Sequence, residues 1–288
     1  METFGIGYRG ILGHGQYLHE LFFSIYKAIK ETCRVCGHPA EVLPFSAMTR
    51  GALVNYFECR NCSYVQTQYP TWLDEAYAEP INPSDTGIMV RNIHNVELVI
   101  STLVLLGARR GRVVDCAGGY GLLVRMLRDK GINALWSDQY ASNLLSRGFE
   151  YQGGHADLVT AFEAFEHFVN PASEVERLAK ISPNILLTTD IIASPAPLPD
   201  QWWYYGLEHG QHIGFFRVRT LEWLARSLGL HLISDHNSVH LLSKQPVSMK
   251  RWRLIRRIAK ANLSILTKGL QSKTWDDHFK VAQQQLSD

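Results

Sequence analysis

The sequence predicts an α/β protein: an open, mostly parallel sheet with helices on both faces, a small cysteine-bearing unit before it and a helical tail after it. Three observations carry this expectation. The stretch Arg112-Val113-Val114-Asp115-Cys116-Ala117-Gly118-Gly119-Tyr120-Gly121 runs from a strand into a glycine-rich turn and then into a helix. Apolar runs at Ala134–Asp138, Asp157–Phe162 and Asn184–Asp190 follow at the spacing of strands alternating with helices. Four of the five cysteines form two Cys-x-x-Cys pairs, Cys33/Cys36 and Cys59/Cys62, with 22 residues between them. At 288 residues, 46% hydrophobic and 19% charged, the chain suits one substantial α/β domain plus a smaller unit.

Taken in order, residues 1–31 contain an expected amphipathic helix from about residue 16 to 30, with Leu18, Leu21, Phe22, Ile25 and Ile29 at helical spacing. Residues 32–68 read as a zinc ribbon. Each Cys-x-x-Cys turn brings two thiolates onto one tetrahedral ion, and two such turns close a four-cysteine shell of Cys33, Cys36, Cys59 and Cys62. A closed shell has no open position, so the Zn2+ is expected to be structural and to supply folding energy that so small a unit lacks. The β-favouring Val54, Tyr56 and Phe57 between the pairs suit its short strands. His38 is read as a surface residue and Cys116 as a small buried one. Residues 69–106 form a helical lid or linker with a helix from about Ile93 to Leu106, and Tyr77, Asp85, Arg91 and Asn92 are its candidate lid residues.

Residues 107–245 hold the glycine turn. Val113 and Val114 suit a buried strand end, and Gly118, Gly119 and Gly121 allow positive φ and close approach of a ligand. The helix expected from Leu122 to Lys130 points its positive end at that ligand. A dinucleotide site wants Gly-x-Gly-x-x-Gly, whereas the spacing here is Asp-x-Ala-x-Gly-x-Gly, with bulky Leu122 and Leu123 after the last glycine. A carboxylate at the strand end repels a diphosphate and suits an amino group.

The pattern resembles motif I of the class I S-adenosylmethionine-dependent methyltransferases, with Ala117 in place of the first glycine. The resemblance spans about Arg110 to Ser243 and implies a Rossmann-like class I methyltransferase sheet. It assigns Asp115, Ala117, Gly118, Gly119, Gly121, Asp138 and Phe162 to the cofactor, with Asp115 at the methionine end and Asp138 at the ribose hydroxyls. The loop Gln211-His212-Ile213-Gly214-Phe215-Phe216 resembles one in bacterial sugar methyltransferases that carry a zinc-binding N-terminal region, where a Glu-His pair supplies the base. This implies His212 as the base with Gln211 replacing the acid, His209 as a second candidate, and Glu163 at the mouth between cofactor and acceptor. The implied reaction is O-methylation of a small molecule or glycan, such as a nucleotide-linked or surface-polysaccharide sugar.

Alternatives stay open at this point. The segment from Glu163 through Glu166 to His167 is similar to one that helps hold a divalent cation in quinone-pathway O-methyltransferases, and zinc ribbons also occur fused to ribosomal RNA methyltransferases. A non-catalytic S-adenosylmethionine-binding interaction module is the third alternative. Nucleic acid is disfavoured by a net charge of only +2. Residues 246–288 form a basic helical tail. From Lys244 onward there are ten Lys or Arg against three Asp or Glu, with Trp252, Ile255, Ile258, Ala259 and Ile265 on one helical side. Two fates are open to it: resting on an anionic membrane, or docking on the catalytic domain or on a second copy of the chain in a homodimer. His14, His19 and Glu20 break any leader-like apolar stretch, so a cytoplasmic location is expected.

Overall fold

Two sheets organise the chain in a computed structural model that describes residues 30–77 and 85–285. The helix expected over residues 16–30 lies outside them, apart from Lys30, which opens a strand instead. The first sheet is built from β1 (Lys30–Thr32), β2 (Pro39–Thr49), β3 (Ala52–Cys59) and β4 (Val65–Thr67). β2 and β3 form a hairpin whose turn residues Arg50 and Gly51 both have positive φ, the geometry that matches strand twist in a tight hairpin. Val54, Tyr56 and Phe57 are buried. The fifth strand of this sheet, β9 (Gly214–Phe215), comes from far along the chain and pairs antiparallel with β4.

The second sheet has the order β10-β11-β8-β7-β5-β6, from β5 (Arg112–Cys116), β6 (Asn133–Ser137), β7 (Leu158–Phe162), β8 (Asn184–Thr188), β10 (His231–Ser234) and β11 (Val239–Ser243). β6, β5, β7 and β8 run parallel, and β11 and β10 close one edge as an antiparallel hairpin. Beyond β6 the edge carries only a single parallel bridge between Trp136 and Glu150. Because β5 sends its neighbours β6 and β7 to opposite sides, a crevice opens at the carboxyl ends of these strands, the position where open α/β sheets bind ligands.

Eight helices are described: α1 (Leu73–Ala76), α2 (Ile88–Leu105), α3 (Leu122–Asp129), α4 (Pro171–Ile181), α5 (Val218–Ser227), α6 (Met249–Ala261), α7 (Leu263–Thr267) and α8 (Thr274–Gln285). α2 begins about one turn earlier than the apolar periodicity suggested. It is long and apolar enough to cross a membrane by composition, yet it buries Val96, Val99, Ile100 and Leu103 in the core. α6 packs on it, and Trp252 is fully buried with its indole N–H donating to the Thr102 hydroxyl at 3.2 Å. The apolar side of the tail is thus spent inside the protein: Trp252, Ile255 and Ala259 are buried, and of the expected stripe Ile265 alone is exposed.

The two sheets share one hydrophobic core. Cys33, Val35, Phe57, Cys59, Cys62 and Tyr64 belong to the same buried cluster as Val114, Phe165, Phe216, Leu221 and Leu224. The seam is also polar. Arg217 pairs with Glu58, and the Thr220 hydroxyl donates to Cys62 O at 2.9 Å. α8 is pinned by a buried fork in which Arg128 donates to both Asp277 oxygens at 2.6 Å, with Arg125 also 2.9 Å from Asp277. Removing one partner of such a pair strands a buried charge. Asp277→Ala is therefore expected to lower unfolding free energy by about 3–5 kcal/mol in denaturant titration, with α8 becoming the first segment to exchange amide hydrogens.

Candidate active site

The glycine turn is shaped by what surrounds it. Ala117 N and Gly118 N donate to Ser137 O at 3.0 and 3.2 Å, tying the turn to the end of β6. A Cβ on Gly118 would stand 2.6 Å from the Trp136 ring, whose indole N–H donates to Gly119 O at 2.9 Å. Gly121 has φ +86° and opens α3, where a Cβ would meet Asn143 Oδ1 at 2.7 Å. Ala117 holds φ +109°, a region that costs a residue with a Cβ roughly 1–3 kcal/mol, so the turn is kept by its surroundings at the position where the family has glycine.

Two acids flank this turn in different environments. Asp115 is 3% exposed and accepts a hydrogen bond from the Thr160 hydroxyl at 2.6 Å. Burial, reinforced by the charge of Asp138, pushes its pKa up to about 7. Asp138 is held by backbone: Gly119 N donates to one oxygen at 2.9 Å, and Tyr140 N and Ala141 N donate to the other at 2.7 and 2.9 Å. A carboxylate offers about four acceptor positions, so three backbone donors leave about one free.

At the end of β7, Phe162 is nearly buried and Glu163 takes a left-handed φ of +48°. Glu163 N donates to Thr188 Oγ1 at 3.0 Å, and that hydroxyl donates back to Glu163 Oε1 at 2.6 Å. The next residues form a 3-10 turn, Phe165–His167. Glu166 within it is fully buried, and neither side-chain oxygen has a hydrogen-bond partner. Burial, with Glu163 nearby, raises its pKa well above the carboxylate range.

The three histidines differ in tautomer. His212 Nδ1 lies 2.6 Å from Tyr204 O and His167 Nδ1 lies 3.1 Å from Gln211 O. A carbonyl only accepts, so both Nδ1 atoms carry the hydrogen and each Nε2 is left as a lone pair. Burial holds both rings neutral, His167 down at about 4 and His212 well below its ordinary value. His209 is reversed: its Nδ1 accepts from Gln211 N at 3.1 Å, so neutral His209 carries its proton on Nε2. Of the two candidate bases, His209 thus has its lone pair engaged by a backbone N–H, whereas that of His212 is free of one. Gln211, standing where the resembling loop has an acid, donates its side-chain amide to Ala76 O at 2.8 Å and ties the loop to α1.

These groups line one cleft of ≈ 760 Å³. It brings together Asp115, Ala117, Gly118, Gly119, Asp138, Phe162, Glu163, His209 and His212, as well as Tyr77, Asp85, Arg91 and Asn92 from the lid segment. Gly121 is not on the wall and acts by shaping the turn. His167, Tyr140 and Trp203 also lie on the wall, and of these Tyr140 carried no signal in the sequence. Tyr140 stacks on Tyr77 with ring centroids 4.9 Å apart, and Trp203 is 75% exposed at the rim.

The four cysteines meet on the far side of the shared core. Cys33 and Cys62 sulfurs are 3.5 Å apart, Cys36 and Cys59 sulfurs 3.4 Å, and all four lie within 4.8 Å of one another. A tetrahedral zinc with about 2.3 Å bonds has sulfurs about 3.8 Å apart, so the donor set fits that ion; a disulfide needs about 2.05 Å. Both turns repeat one pattern: Gly37 N donates to Cys33 O at 2.9 Å and Ser63 N to Cys59 O at 2.8 Å, with positive φ at Gly37 and Ser63. His38 is exposed and bonded to Cys36 O, outside the cluster.

A family model for a methyltransferase domain matches residues 91–235, just over half of the 288-residue chain, and the chain belongs to that family. Its mixed α/β sheet is the class I methyltransferase fold. No curated protein sequence matches it. Among solved structures it is similar to an O-methyltransferase family protein from Burkholderia thailandensis, at 15% identity and a TM-score of 0.43, over 65% of each chain. Another is the 1,6-didemethyltoxoflavin-N1-methyltransferase of Burkholderia thailandensis, solved with 1,6-didemethyltoxoflavin and S-adenosylhomocysteine: 12% identity, TM-score 0.43, 68% of this chain and 97% of that one. A third is the O-methyltransferase NcsB1 from neocarzinostatin biosynthesis, solved with S-adenosylhomocysteine and 1,4-dihydroxy-2-naphthoic acid: 15% identity, TM-score 0.42, 60% of this chain and 61% of that one. The chain spans less than two thirds of the length of the two O-methyltransferases.

Asp115 yields a pH test that needs no ligand. Its folded pKa lies above the unfolded value of about 3.9, so the folded state holds the proton more tightly and loses stability as pH rises from about 4 through about 7. Asp115→Asn keeps the acceptor for Thr160 and removes that loss. Its stability advantage over the parent is expected to grow by on the order of 2 kcal/mol between pH 5 and pH 8 in denaturant titrations.

Proposed function

We propose that the protein transfers the methyl group of S-adenosylmethionine to an oxygen of a small molecule or glycan, a sugar hydroxyl being the acceptor that the resemblance of the Gln211–Phe216 loop favours. The observation that carries this reading is the single cleft in which the motif I turn, Asp115 and Asp138 face Glu163 and the His212 loop. When bound, the cofactor supplies an electrophilic methyl on a good leaving group. The protein's own work is then to bind, orient and take a proton. Asp115 suits the methionine ammonium, which would offset the cost of ionising a buried carboxylate. Asp138, pinned by three backbone donors, presents its remaining acceptor position to the ribose.

Glu163 and the Nε2 lone pair of His212 are the groups at the cleft wall that can receive the acceptor's proton. Trp203 and Tyr140 offer aromatic faces at the rim for a sugar or planar ring. The four cysteines hold a structural Zn2+, whose role is to keep the first sheet folded against the His212 loop.

Calorimetric titration with S-adenosylmethionine is expected to give micromolar affinity that Asp138→Ala weakens. His212→Ala is expected to bind the cofactor as the parent does while losing about a hundredfold or more in turnover with sugar acceptors. Absence of binding by the folded, zinc-loaded chain would sink the reading, and full turnover by His212→Ala would sink the role of that residue. For the zinc, one equivalent per chain is expected by elemental analysis. A strong chelator under mild denaturant should release it together with loss of the near-ultraviolet signal of both sheets, since their core is shared.

A further inference from the structure

Glu166, His167 and His212 converge on the inner wall of the cleft, and their polar atoms do not suit one another. Both histidines give their Nδ1 hydrogen to a backbone carbonyl, so their Nε2 atoms are bare lone pairs. One ligand atom from each of the three residues lies within 4.8 Å of the others. Glu166 is 0% exposed and both of its oxygens lack a partner. With Glu166 ionised, as a metal ligand must be, three acceptors face one another with no donor among them. Glu166 Oε1 and His167 Nε2 stand 3.9 Å apart, too far for a hydrogen bond and suited to two ligands that share a cation between them.

We propose that Glu166, His167 and His212 bind one divalent transition-metal ion. Two neutral imidazoles and one carboxylate form a donor set that favours zinc, iron(II) or cobalt(II) over magnesium or calcium, which prefer oxygen shells. Each histidine already has what a metal-binding imidazole requires, a backbone carbonyl on the other nitrogen that fixes its tautomer and aim. The set crosses two segments of the chain and differs from the Glu163, Glu166 and His167 grouping suggested by the local motif. Glu163 is turned to Thr188, and His212 takes its place.

Three protein ligands leave a coordination position open, and His167 and His212 both face the cleft. The four-cysteine shell has no such position. Binding of the ion requires no methyl transfer, and only its task on the acceptor rests on that reading. With the ion bound, the His212 lone pair is a ligand and no longer a base: the acceptor's hydroxyl oxygen fills the open position, its O–H bond breaks with the electron pair left on oxygen, and the proton passes to the Glu163 carboxylate.

Cobalt(II) tests this on the full chain, with zinc already in the cysteine site. Calorimetry and visible absorption are expected to show one equivalent bound with d–d bands and without the sulfur-to-metal charge transfer that marks thiolate ligands. Glu166→Gln and His212→Asn should each weaken that uptake by about tenfold or more. No uptake by the parent chain overturns the proposal, as does uptake undiminished in both variants. S-adenosylmethionine titration of the same samples separates the two readings. Cobalt uptake without cofactor binding leaves the metal site standing and removes methyl transfer, whereas cofactor binding without cobalt uptake does the reverse.

Discussion

The backbone of Ile213 is the fixed point on which the site depends. Its carbonyl accepts from Thr67 N at 3.0 Å, in β4 of the first sheet, and from the guanidinium of Arg34 at 2.5 Å, in the first cysteine turn. Its N–H donates to Glu166 O at 2.8 Å, in the 3-10 turn that follows β7. One peptide thus joins the first sheet to the second, and His212 immediately before it inherits the position. Gly214 follows, so close beneath the Tyr64 hydroxyl that no side chain fits there. The ribbon is in this sense the rear wall of the cleft. Its strands, its knuckles and the Tyr64–Phe216 ring contact, 5.0 Å between centroids, all fix one loop.

Desolvation governs the chemistry of that wall. Asp115, Glu166, His167 and His212 are buried beyond what an isolated charge tolerates, and each is shifted toward its neutral form. Such groups are costly to the fold and useful to a ligand, because a bound cation recovers the energy that burial removes. In the readings proposed above, Asp115 takes an ammonium and Glu166 a metal ion. Asp138 shows the opposite solution. Three backbone N–H groups hold its carboxylate in place, and it serves as a rigid support for the turn as much as a ligand group.

Local chemistry was legible in the sequence, and long-range chemistry was not. The strand, turn and helix around Asp115 were readable because glycine, acid and apolar run are contiguous there, and the cysteine turns were readable because each pair is a self-contained knuckle. Glu166 and His167 were visible as a motif, but their partner His212 is carried in by β9 pairing with β4, a long-range pairing that no local pattern encodes. Tautomers are equally invisible. His209 and His212 look alike in sequence, and only the donor or acceptor each finds in the folded loop tells them apart. Gln211 seemed a lost acid until its amide was found holding Ala76. The basic tail left two fates open, since an apolar face reads the same whether it meets lipid or α2, and the contact with α2 is one of the two.

The shared core has a consequence for how such a chain can change over time. Modular proteins exchange domains as cassettes, because each part keeps its own interior. Here the cysteine knuckles, Phe165 and Phe216 share a single interior, and β9 belongs by sequence to one half and by hydrogen bonding to the other. Neither half can be borrowed without leaving an apolar wound on both. The two parts are therefore bound to evolve as a unit, with any drift in the cysteine-bearing half read out directly as a displaced histidine in the other.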